Sequence, residues 1–395
     1  MRTPPGPFRP TFWRSPLRGP WLTTLLGALL LPGVVVVAVT GFLSEAAYEP
    51  SLGGNAIVPV ALPLTFGWPT SPPWLYALTQ GLHVNAGLAV VPLLLAKLWS
   101  VVPKLFAWPP ARSPAALVER LSIALLVGSA LFELVTGVTN MQNWYPWGFN
   151  FVVAHYYGAV VFVAALVAHV VVKLPTMRRA WRDRPGTPPA HAAEPTITRR
   201  GLLGLVGAGS AAVLLANVGE TIGGPLRATA LLAPRRATRP GPNGFPVNKT
   251  AAAARVDPAL TGPGWRLLLV HGDARRELSR DELLALDQRT ETLPIACVEG
   301  WTTTQEWEGV PLAALAELVG AGDAGDVLVE SLQPRGVLRA ATLSHRQFSA
   351  EPSLLALRVN GVDLSLDHGF PARIVVPALP GVHATKWVST MTFAA

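Results

Sequence analysis

Cysteine is nearly absent from this chain: Cys297 is the single copy among 395 residues. One thiol cannot close a disulfide within the chain, and it cannot alone supply the several thiolates of a structural zinc or iron–sulfur site. Cys297 follows the apolar residues 293–296 and precedes a Gly-Trp pair, a pattern that predicts a strand end followed by a loop. The thiol is therefore either a small buried hydrophobic group or a singly reactive one.

Charged residues are also scarce, at 14% of the chain, whereas half of the residues are hydrophobic and the mean hydropathy is +0.37. These values exclude a wholly soluble protein and indicate a membrane protein. The formal net charge is +8, but the Lys and Arg residues cluster at the ends of apolar runs. Membrane topology accounts for that clustering better than nucleic-acid binding does, so we expect no nucleic-acid partner.

Five apolar runs predict membrane spans. They cover residues 21–43, 78–102, 117–138, 151–174 and 201–218. The first run is long enough to cross about 30 Å of hydrocarbon, and we expect it to be retained rather than cleaved as a signal peptide. The sequence thus predicts an all-α four-helix transmembrane bundle over residues 21–175, after a cytoplasmic tail at 1–20. The fifth run, which is shorter and rich in small residues, predicts a tethering span at 201–220.

The charges between the runs predict how the spans are oriented. The loop at 44–78 carries two Glu residues but no Lys or Arg, and the loop at 139–150 carries no charge, so both are expected outside. Basic segments are expected in the cytoplasm, and these contain Lys97, Lys104, Arg112, Arg120 and the Lys and Arg residues of 173–200. The chain after residue 220 is then extracytoplasmic, and the protein is a multi-pass protein of the cell membrane.

The predicted cytoplasmic loop at 176–200 ends in a paired-arginine motif. Thr198-Arg-Arg-Gly-Leu-Leu203 resembles a twin-arginine export signal, here in an internal position. Such signals export domains that have already folded, usually around a cofactor. A basic flank of an ordinary span has the same composition, so both interpretations stay open, and a cofactor in the downstream domain would favour export.

Three histidines lie within the predicted spans. His83 and His155 are each about four residues into a span entered from outside, so we expect them at matching depth, the geometry of two axial ligands of one haem iron. His169 follows His155 by 14 residues, which places it on nearly the same helix face about 21 Å away. This spacing resembles that of di-haem four-helix membrane cytochromes of b type, although spans one to three offer no second histidine at the inner level.

We therefore expect one haem b and leave a second open. Gly87 and Gly158, one helical turn from His83 and His155, would let a macrocycle approach. The alternative is that the histidines form hydrogen bonds between helices or line a proton path.

The second half of the chain predicts a separate α+β, β-rich domain. A linker rich in Pro, Gly and Arg is predicted at 221–244, and residues 245–395 are enough for one core. The predicted strands are 265–271, 327–331, 354–360 and 373–377, separated by predicted turns such as Asn360-Gly361 and His368-Gly369. The predicted helices are 279–286 and 311–319.

Five sequence blocks in this half carry a family resemblance. They are Ala296-Cys-Val-Glu-Gly-Trp301, Trp307-Glu-Gly-Val-Pro-Leu312, Leu354-Leu-Ala356 with Asn360-Gly361, His368-Gly-Phe-Pro-Ala-Arg-Ile-Val-Val-Pro377, and Lys386-Trp-Val388. In this order they resemble the molybdopterin-binding domain of the sulfite-oxidase superfamily. The resemblance implies that Cys297 binds molybdenum as a thiolate beside the pterin dithiolene. A soft thiolate suits a metal already held by soft sulfur.

The same resemblance implies further residues at a molybdopterin site. Arg373 and Lys386 occupy the family's basic positions, where they suit the pterin phosphate. Asn248 and Lys249 stand where the family's first cofactor-binding loop falls, and His383 is a candidate contact to cofactor or substrate. The alternative for each is a surface charge or a hydrogen bond within a turn.

Glu299 is a candidate acid or base near the metal, the alternative being an exposed carboxylate at a strand end. The sulfite oxidases proper have an arginine-containing segment after the cysteine. This chain has Val-Glu-Gly-Trp there, closer to the bacterial periplasmic branch that includes the methionine-sulfoxide reductases.

Together these features predict a membrane-bound molybdenum oxidoreductase. It would perform two-electron oxygen-atom transfer on a small extracytoplasmic substrate and exchange electrons through haem b with the quinone pool or another redox protein. The alternatives are a sulfite oxidase that passes electrons to haem, and a membrane cytochrome with a non-catalytic docking domain.

Overall fold

The structure is a computed structural model that describes residues 5–48, 66–109, 113–142, 144–183, 197–233, 242–336 and 339–394. Three charged residues used to predict topology, Glu49, Arg112 and Arg184, lie outside these ranges. The chain divides into two compact units. The first consists of Met1–Thr40 and Leu82–Ala216, and the second of Gly41–Gly81 and Asn217–Ala395.

Long helices make up most of the described chain before residue 223. They are α1 (Pro20–Ala46), α2 (Leu75–Ala89), α3 (Val91–Leu105), α4 (Pro114–Met141), α5 (Phe151–Arg182) and α6 (Arg199–Ile222). Among the described residues, α1, α4, α5 and α6 are long and apolar enough to cross a membrane. Side chains that accept hydrogen bonds fix two of the starts: Ser113 caps α4 through the N–H of Ala116, and Asn150 caps α5 through the N–H of Val153.

The predicted span at 78–102 is not one straight helix. Helices α2 and α3 meet at Val90 with a bend of 40°. Pro92, in the first turn of α3, has no N–H to donate, and its ring crowds the preceding turn. If the bent pair is counted as one span, the described residues offer five candidate spans.

Two sheets build the second unit, and the predicted β-rich fold is confirmed. The first sheet has the order β2-β1-β10-β5-β6, in which β1 and β10 are parallel and the other neighbours antiparallel. The second has the order β3-β4-β7-β8, with β9 also paired to β7. The strands are β1 (Arg266–His271), β2 (Ala274–Ser279), β3 (Arg289–Ala296), β4 (Thr302–Pro311), β5 (Asp326–Ser331), β6 (Ala340–Ser344), β7 (Leu354–Val359), β8 (Val362–Asp363), β9 (Arg373–Val375) and β10 (Val388–Phe393).

Short helices and one tight turn connect these strands. The helices are α7 (Ala251–Ala254), α8 (Arg280–Ala285), α9 (Leu312–Glu317) and α10 (His345–Phe348). Asn360 and Gly361 join β7 to β8, and their φ angles of 52° and 77° are those of a two-residue hairpin turn. All four predicted strands and both predicted helices are present.

A buried apolar core lies within the second unit. Leu267, Val327, Leu343 and Met391 are fully buried in it, and burying a side chain of this size stabilises a fold by about 1.5–3 kcal/mol. The core also includes residues from before the predicted linker: Ala46, Ala47, Trp68 and Tyr76. Trp68 donates its indole N–H to the carbonyl of Ala378 at 2.6 Å. The described residues 41–48 and 66–81 therefore fold with the C-terminal half of the chain.

Candidate functional site

Cys297 begins a tight turn at the end of β3, as the sequence predicted. Its backbone N–H donates to the carbonyl of Trp301 at 2.9 Å, and the N–H of Gly300 donates back to the carbonyl of Cys297 at 3.0 Å. Gly300 has a φ of 95°, in the left-handed region that favours glycine. The thiol residue is 8% exposed.

Two helices contact the carbonyl groups of this turn. The Gln80 side-chain amide, on α2, donates to the carbonyl of Val298 at 3.0 Å. The Thr221 hydroxyl, on α6, donates to the carbonyl of Gly300 at 2.9 Å. The backbone on either side of Glu299 is therefore held by side chains that sequence reasoning did not single out.

Glu299 is buried rather than exposed, which corrects the alternative of a free carboxylate at a strand end. It is 4% exposed, and its Oε2 accepts the indole N–H of Trp301 at 3.0 Å. The carboxylate therefore ties the turn to its own tryptophan. A role in proton transfer stays a prediction.

Arg373 lies in a buried position on β9. Its terminal N–H groups donate to the carbonyls of His368 and Ala384 at 3.1 and 3.3 Å, and its guanidinium carbon lies 5.1 Å from the ring centre of Trp307. Nε has no hydrogen-bond partner among the described residues. Burial lowers the pKa of Arg373 to about 9. A buried cation held only by neutral groups fits an anionic ligand.

Lys386 brings a second cation to the same place, and residues 373 and 386 form a β-bridge. Its ammonium group donates to the carbonyl of Asp367 at 2.9 Å and also to the carbonyl of Lys249. Asn248 accepts the N–H of Lys249 at 2.8 Å, and burial lowers the pKa of Lys249. The structure thus brings together Arg373, Lys386 and the loop at 248–249.

Gly369 lets the two cationic residues pack closely. A Cβ at this position would lie 3.1 Å from the Cβ atoms of both Arg373 and Lys386, and the φ of Gly369 is 109°. Sequence reasoning named the His-Gly pair as a turn but did not identify it as part of the basic cluster.

His368 is a buried histidine of this cluster that the sequence analysis did not propose as a site residue. It is 2% exposed, and its ring stacks on Phe245 with the ring centres 3.7 Å apart. Burial, followed by the charges of Arg373 and Lys386, lowers the pKa of His368 to about 3. The ring is therefore neutral near pH 7, and it adds no further charge to the cluster.

This neutral histidine predicts acid sensitivity. The pKa of His368 falls from an ordinary 6.5 to about 3 on folding, so between these values the unfolded chain binds more protons. Stability is full above pH 6.5 and falls as the pH drops below it, by up to about 1.4 kcal/mol per pH unit. We expect the melting temperature of His368→Gln to depend less on pH between 6.5 and 4.5 than that of the wild type. His271→Gln, at a partly exposed strand end, is the control, and equal slopes in wild type and His368→Gln would contradict the prediction.

His383 lies beside the strand end that carries Cys297. Residues 296 and 380 form a parallel β-bridge, and a Cβ at Gly381 would lie 3.1 Å from the Ala296 carbonyl oxygen. The His383 side chain is fully buried, and its ring centre is 6.2 Å from that of Tyr48.

One buried cluster connects the thiol to the cations. Cys297, Trp307 and Ala384 all belong to it. The ring of Trp307 faces the guanidinium of Arg373. The same guanidinium donates a hydrogen bond to the carbonyl of Ala384. A soft thiol ligand and an anion-binding group therefore border the same cluster.

The first unit brings together two of the three histidines of the predicted spans. The ring centres of His83 and His155 are 6.1 Å apart with ring planes at 89°. Nδ1 of His83 contacts the carbonyl of Val37 at 2.9 Å, and Nδ1 of His155 contacts Oγ1 of Thr136 at 2.9 Å. Because Nδ1 of each ring already has a partner, Nε2 is the nitrogen that could bind a metal. A bond between a histidine nitrogen and a metal is usually about 2 Å long. His169 lies farther along α5 and is partly exposed.

The two glycines near these histidines differ. A Cβ at Gly87 would meet nothing within 4 Å, whereas a Cβ at Gly158 would lie 2.2 Å from a carboxylate oxygen of Glu133. The space at Gly158 is thus taken by a side chain, and only Gly87 leaves room for a macrocycle. Sequence reasoning missed Glu133, although its signal was present as the single acidic residue between 120 and 141.

The described residues contain no group of three or more His, Cys, Asp or Glu side chains that could hold a metal ion. One thiol at Cys297, or two imidazoles at His83 and His155, would leave positions on a metal for the ligands of a bound cofactor. Molybdopterin and haem both supply such ligands, so the residues present fit these groups.

Comparison with known proteins identifies the C-terminal domain. Residues 255–395 match the family model of the oxidoreductase molybdopterin binding domain. This part of the chain is a molybdopterin-binding oxidoreductase domain.

Three curated relatives share part of their length with this chain. The uncharacterized oxidoreductase YuiH of Bacillus subtilis is 33% identical over 118 residues, which are 29% of this chain and 58% of YuiH. The NAD(P)H nitrate reductase of Hordeum vulgare is 33% identical over 104 residues, 24% of this chain and 12% of the reductase. The putative protein-methionine-sulfoxide reductase subunit YedZ1 of Azospira oryzae is 32% identical over 113 residues, 28% of this chain and 41% of YedZ1. The matched segment thus covers 58% or less of the length of each of these relatives.

Proposed function

We propose that this chain is a membrane-bound molybdenum oxidoreductase that performs two-electron, oxygen-atom-transfer chemistry on a small extracytoplasmic substrate. Its electrons would pass to or from the membrane through haem b. The observation that carries the proposal is the buried thiol of Cys297 bordering the same cluster as the cation of Arg373. A cofactor that has both soft sulfur and a phosphate matches this pair.

Each residue of the C-terminal site has a role in this proposal. Cys297 supplies the thiolate that holds molybdenum, which provides the two-electron chemistry when bound. Arg373 and Lys386 would bind the pterin phosphate, and the loop at Asn248 and Lys249 lies beside them, with the carbonyl of Lys249 accepting a hydrogen bond from Lys386. Gln80 and Thr221 hold the turn that carries the thiolate, so that the thiolate keeps a fixed position.

Substrate contact is assigned to His383 and Glu299. Both side chains are buried next to the segments that flank Cys297, and both types of side chain transfer protons in enzymes. Removing an oxygen atom from a sulfoxide as water requires two protons and two electrons, and these groups would hold or relay the protons. Oxidation of sulfite, which would send electrons toward the haem, is the second candidate reaction.

A haem b between His83 and His155 would carry electrons within the membrane. The haem assignment is supported by two imidazole rings whose centres are 6.1 Å apart. In each ring Nδ1 already contacts another group, the carbonyl of Val37 or the hydroxyl of Thr136. A second haem at His169 has no comparable support. Quinone or a separate redox protein is the proposed electron partner.

The proposed orientation places the molybdenum domain outside the cell membrane. The basic segments around α3 and at the end of α5 support a cytoplasmic location for those ends. The paired Arg199 and Arg200 at the start of α6 suit export of a folded, cofactor-loaded domain.

Metal analysis and a reduced-minus-oxidised spectrum test this function together, using the full chain purified from membranes. We expect about one molybdenum and one low-spin b haem per chain. Haem without molybdenum would instead support a cytochrome with a docking domain. Molybdenum without haem would mean that the membrane histidines are structural. Measuring the rates of sulfoxide reduction and of sulfite oxidation would then show which of the two candidate reactions the protein catalyses.

A further inference from the structure

Several charged side chains lie close together at one end of helices α3, α4 and α5. Lys97 and Lys104 are on α3, and Lys173 is on α5 together with His169. His169 interacts electrostatically with all three ammonium groups and with the carboxylate of Glu119 on α4. We call these five residues the lysine cluster. The proposed function gives them no ligand.

Positive charge exceeds negative charge in the lysine cluster. Glu119 is its one carboxylate, and Lys173 donates a hydrogen bond to it. Lys97 donates instead to a neutral group, the carbonyl of Thr23, at 2.5 Å, and Lys104 is exposed. Three ammonium groups therefore share one carboxylate. They repel one another, and a bound anion would relieve that repulsion.

Backbone contacts hold two cations at this end of the helices. Arg120, on α4, adds a further positive charge and donates to the carbonyls of Leu105 and Ala107 at the end of α3. A Cβ at Gly27 would lie 3.0 Å from the ammonium nitrogen of Lys97, so α1 lacks a side chain where this group contacts it. An anion would meet these cations already in position, which lowers the cost of binding it.

The length of α5 places the lysine cluster at the level of lipid headgroups. Lys173 follows Phe151, the first residue of α5, by 22 residues, which is about 33 Å along a helix. The hydrocarbon core of a bilayer is about 30 Å thick. When Phe151 lies at one boundary of the hydrocarbon, Lys173 lies at the other, beside the phosphates of the headgroups.

An aromatic group at the same end of α3 also indicates the membrane boundary. Phe106 directly follows α3, and its ring centre lies 5.4 Å from that of Trp13 and 5.8 Å from that of Phe8. Phe8 also contacts Trp108, with the ring centres 5.9 Å apart. Tryptophan is enriched where headgroups meet the hydrocarbon. Charge, depth and aromatic surroundings thus point to the same partner.

We propose that the lysine cluster binds the headgroup of an anionic phospholipid, whose phosphate contacts the ammonium groups of Lys97, Lys104 and Lys173. A headgroup with a net negative charge supplies the missing counter-charge, whereas a zwitterionic headgroup brings its own cation. The inference rests on the proposed membrane location of the helices. It goes beyond the proposed function, because it requires neither molybdenum nor haem.

The test measures lipid binding to the full chain purified in a neutral detergent. Phosphatidylglycerol, which is anionic, and phosphatidylcholine, which is zwitterionic, are each titrated into the protein, and native mass spectrometry counts the lipids bound. We expect phosphatidylglycerol to bind at least about fivefold more tightly. Inorganic phosphate should not displace it. Displacement by inorganic phosphate would mean that the cluster binds a free anion, and equal affinity for the two lipids would overturn the inference.

Two variants should change the affinity in opposite directions. Lys104→Gln should weaken phosphatidylglycerol binding about fivefold, the usual contribution of one cation near a membrane surface. Glu119→Gln should strengthen it by a similar factor, because the carboxylate no longer competes with the lipid for Lys173. Arg276→Gln removes an exposed cation from strand β2. It is the control for net charge, and its affinity should equal that of the wild type.

The melting temperature of each variant without added lipid reports whether it folds. Wild-type affinity in both Lys104→Gln and Glu119→Gln would overturn the inference. If Lys104→Gln does not fold, Glu119→Gln decides by itself. Tighter binding by that variant supports the lipid site, and unchanged or weaker binding contradicts it.

Discussion

Cys297→Ser is expected to lose molybdenum and to lower substrate turnover by at least about 100-fold, more than the loss of a residue that only supports a metal ligand. Serine is close to cysteine in size, but its oxygen is a hard, largely protonated group that does not replace a soft thiolate. The measurement is molybdenum per chain by elemental analysis, with reduction of a sulfoxide or oxidation of sulfite as the activity.

Two controls show that the effect belongs to the thiol. Val298→Ala changes the same turn but keeps the thiol, and it also keeps the backbone carbonyl that accepts the amide of Gln80. We expect its molybdenum content to be that of the wild type. If the proposed haem is bound, its spectrum in Cys297→Ser should be that of the wild type, which would report that the helical part of the chain has folded. Normal molybdenum and turnover in Cys297→Ser would refute the assignment of Cys297 as the ligand.

Trp307→Ala should destabilise the second unit by about 3–5 kcal/mol, the usual cost of deleting a buried aromatic ring. Trp307 is fully buried, donates its indole N–H to the carbonyl of Leu293 at 3.1 Å, and packs edge-on against Phe245. Its loss also removes the ring beneath Arg373, so cofactor content should fall with stability. The measurement is the melting temperature of the purified full chain, which should drop by about 10 °C.

Trp74→Ala is the matched control for this prediction. Trp74 belongs to the same unit but is 54% exposed, so its removal should change stability by less than about 0.5 kcal/mol. If the two variants melted at the same temperature, Trp307 would not be the centre of packing that its burial indicates.

The sequence predicted the features that depend on local composition. Apolar runs located the helices, because a span must satisfy its backbone internally and be apolar throughout. The Asn360-Gly361 pair predicted its turn, because both residues tolerate positive φ. The end of β3 at Cys297 was also predicted, because an apolar run followed by Gly-Trp is a local signal.

Other strands and contacts had no such signal. The edge strand β2 is exposed at four successive residues, so it shows no alternation of apolar and polar positions. Strands β3 and β4 are rich in threonine and glutamate, and they are ordered by pairing with each other. The contacts of Gln80 and Thr221 with the cysteine turn join residues more than 75 positions apart. Composition and periodicity do not encode such pairs.

The membership of residues 41–81 in the second unit has a consequence for dissection of the chain. A fragment that starts at residue 245 would retain the whole matched domain, yet it would lack Trp68, Tyr76 and Ala47 from its core. It would also lack Gln80, which binds the turn that carries Cys297. Secreted alone, such a fragment would expose an apolar surface to water and leave its cysteine turn without two of its anchors. The matched domain is therefore completed by residues that precede it in the chain, and we expect a fragment without them not to fold into the same domain.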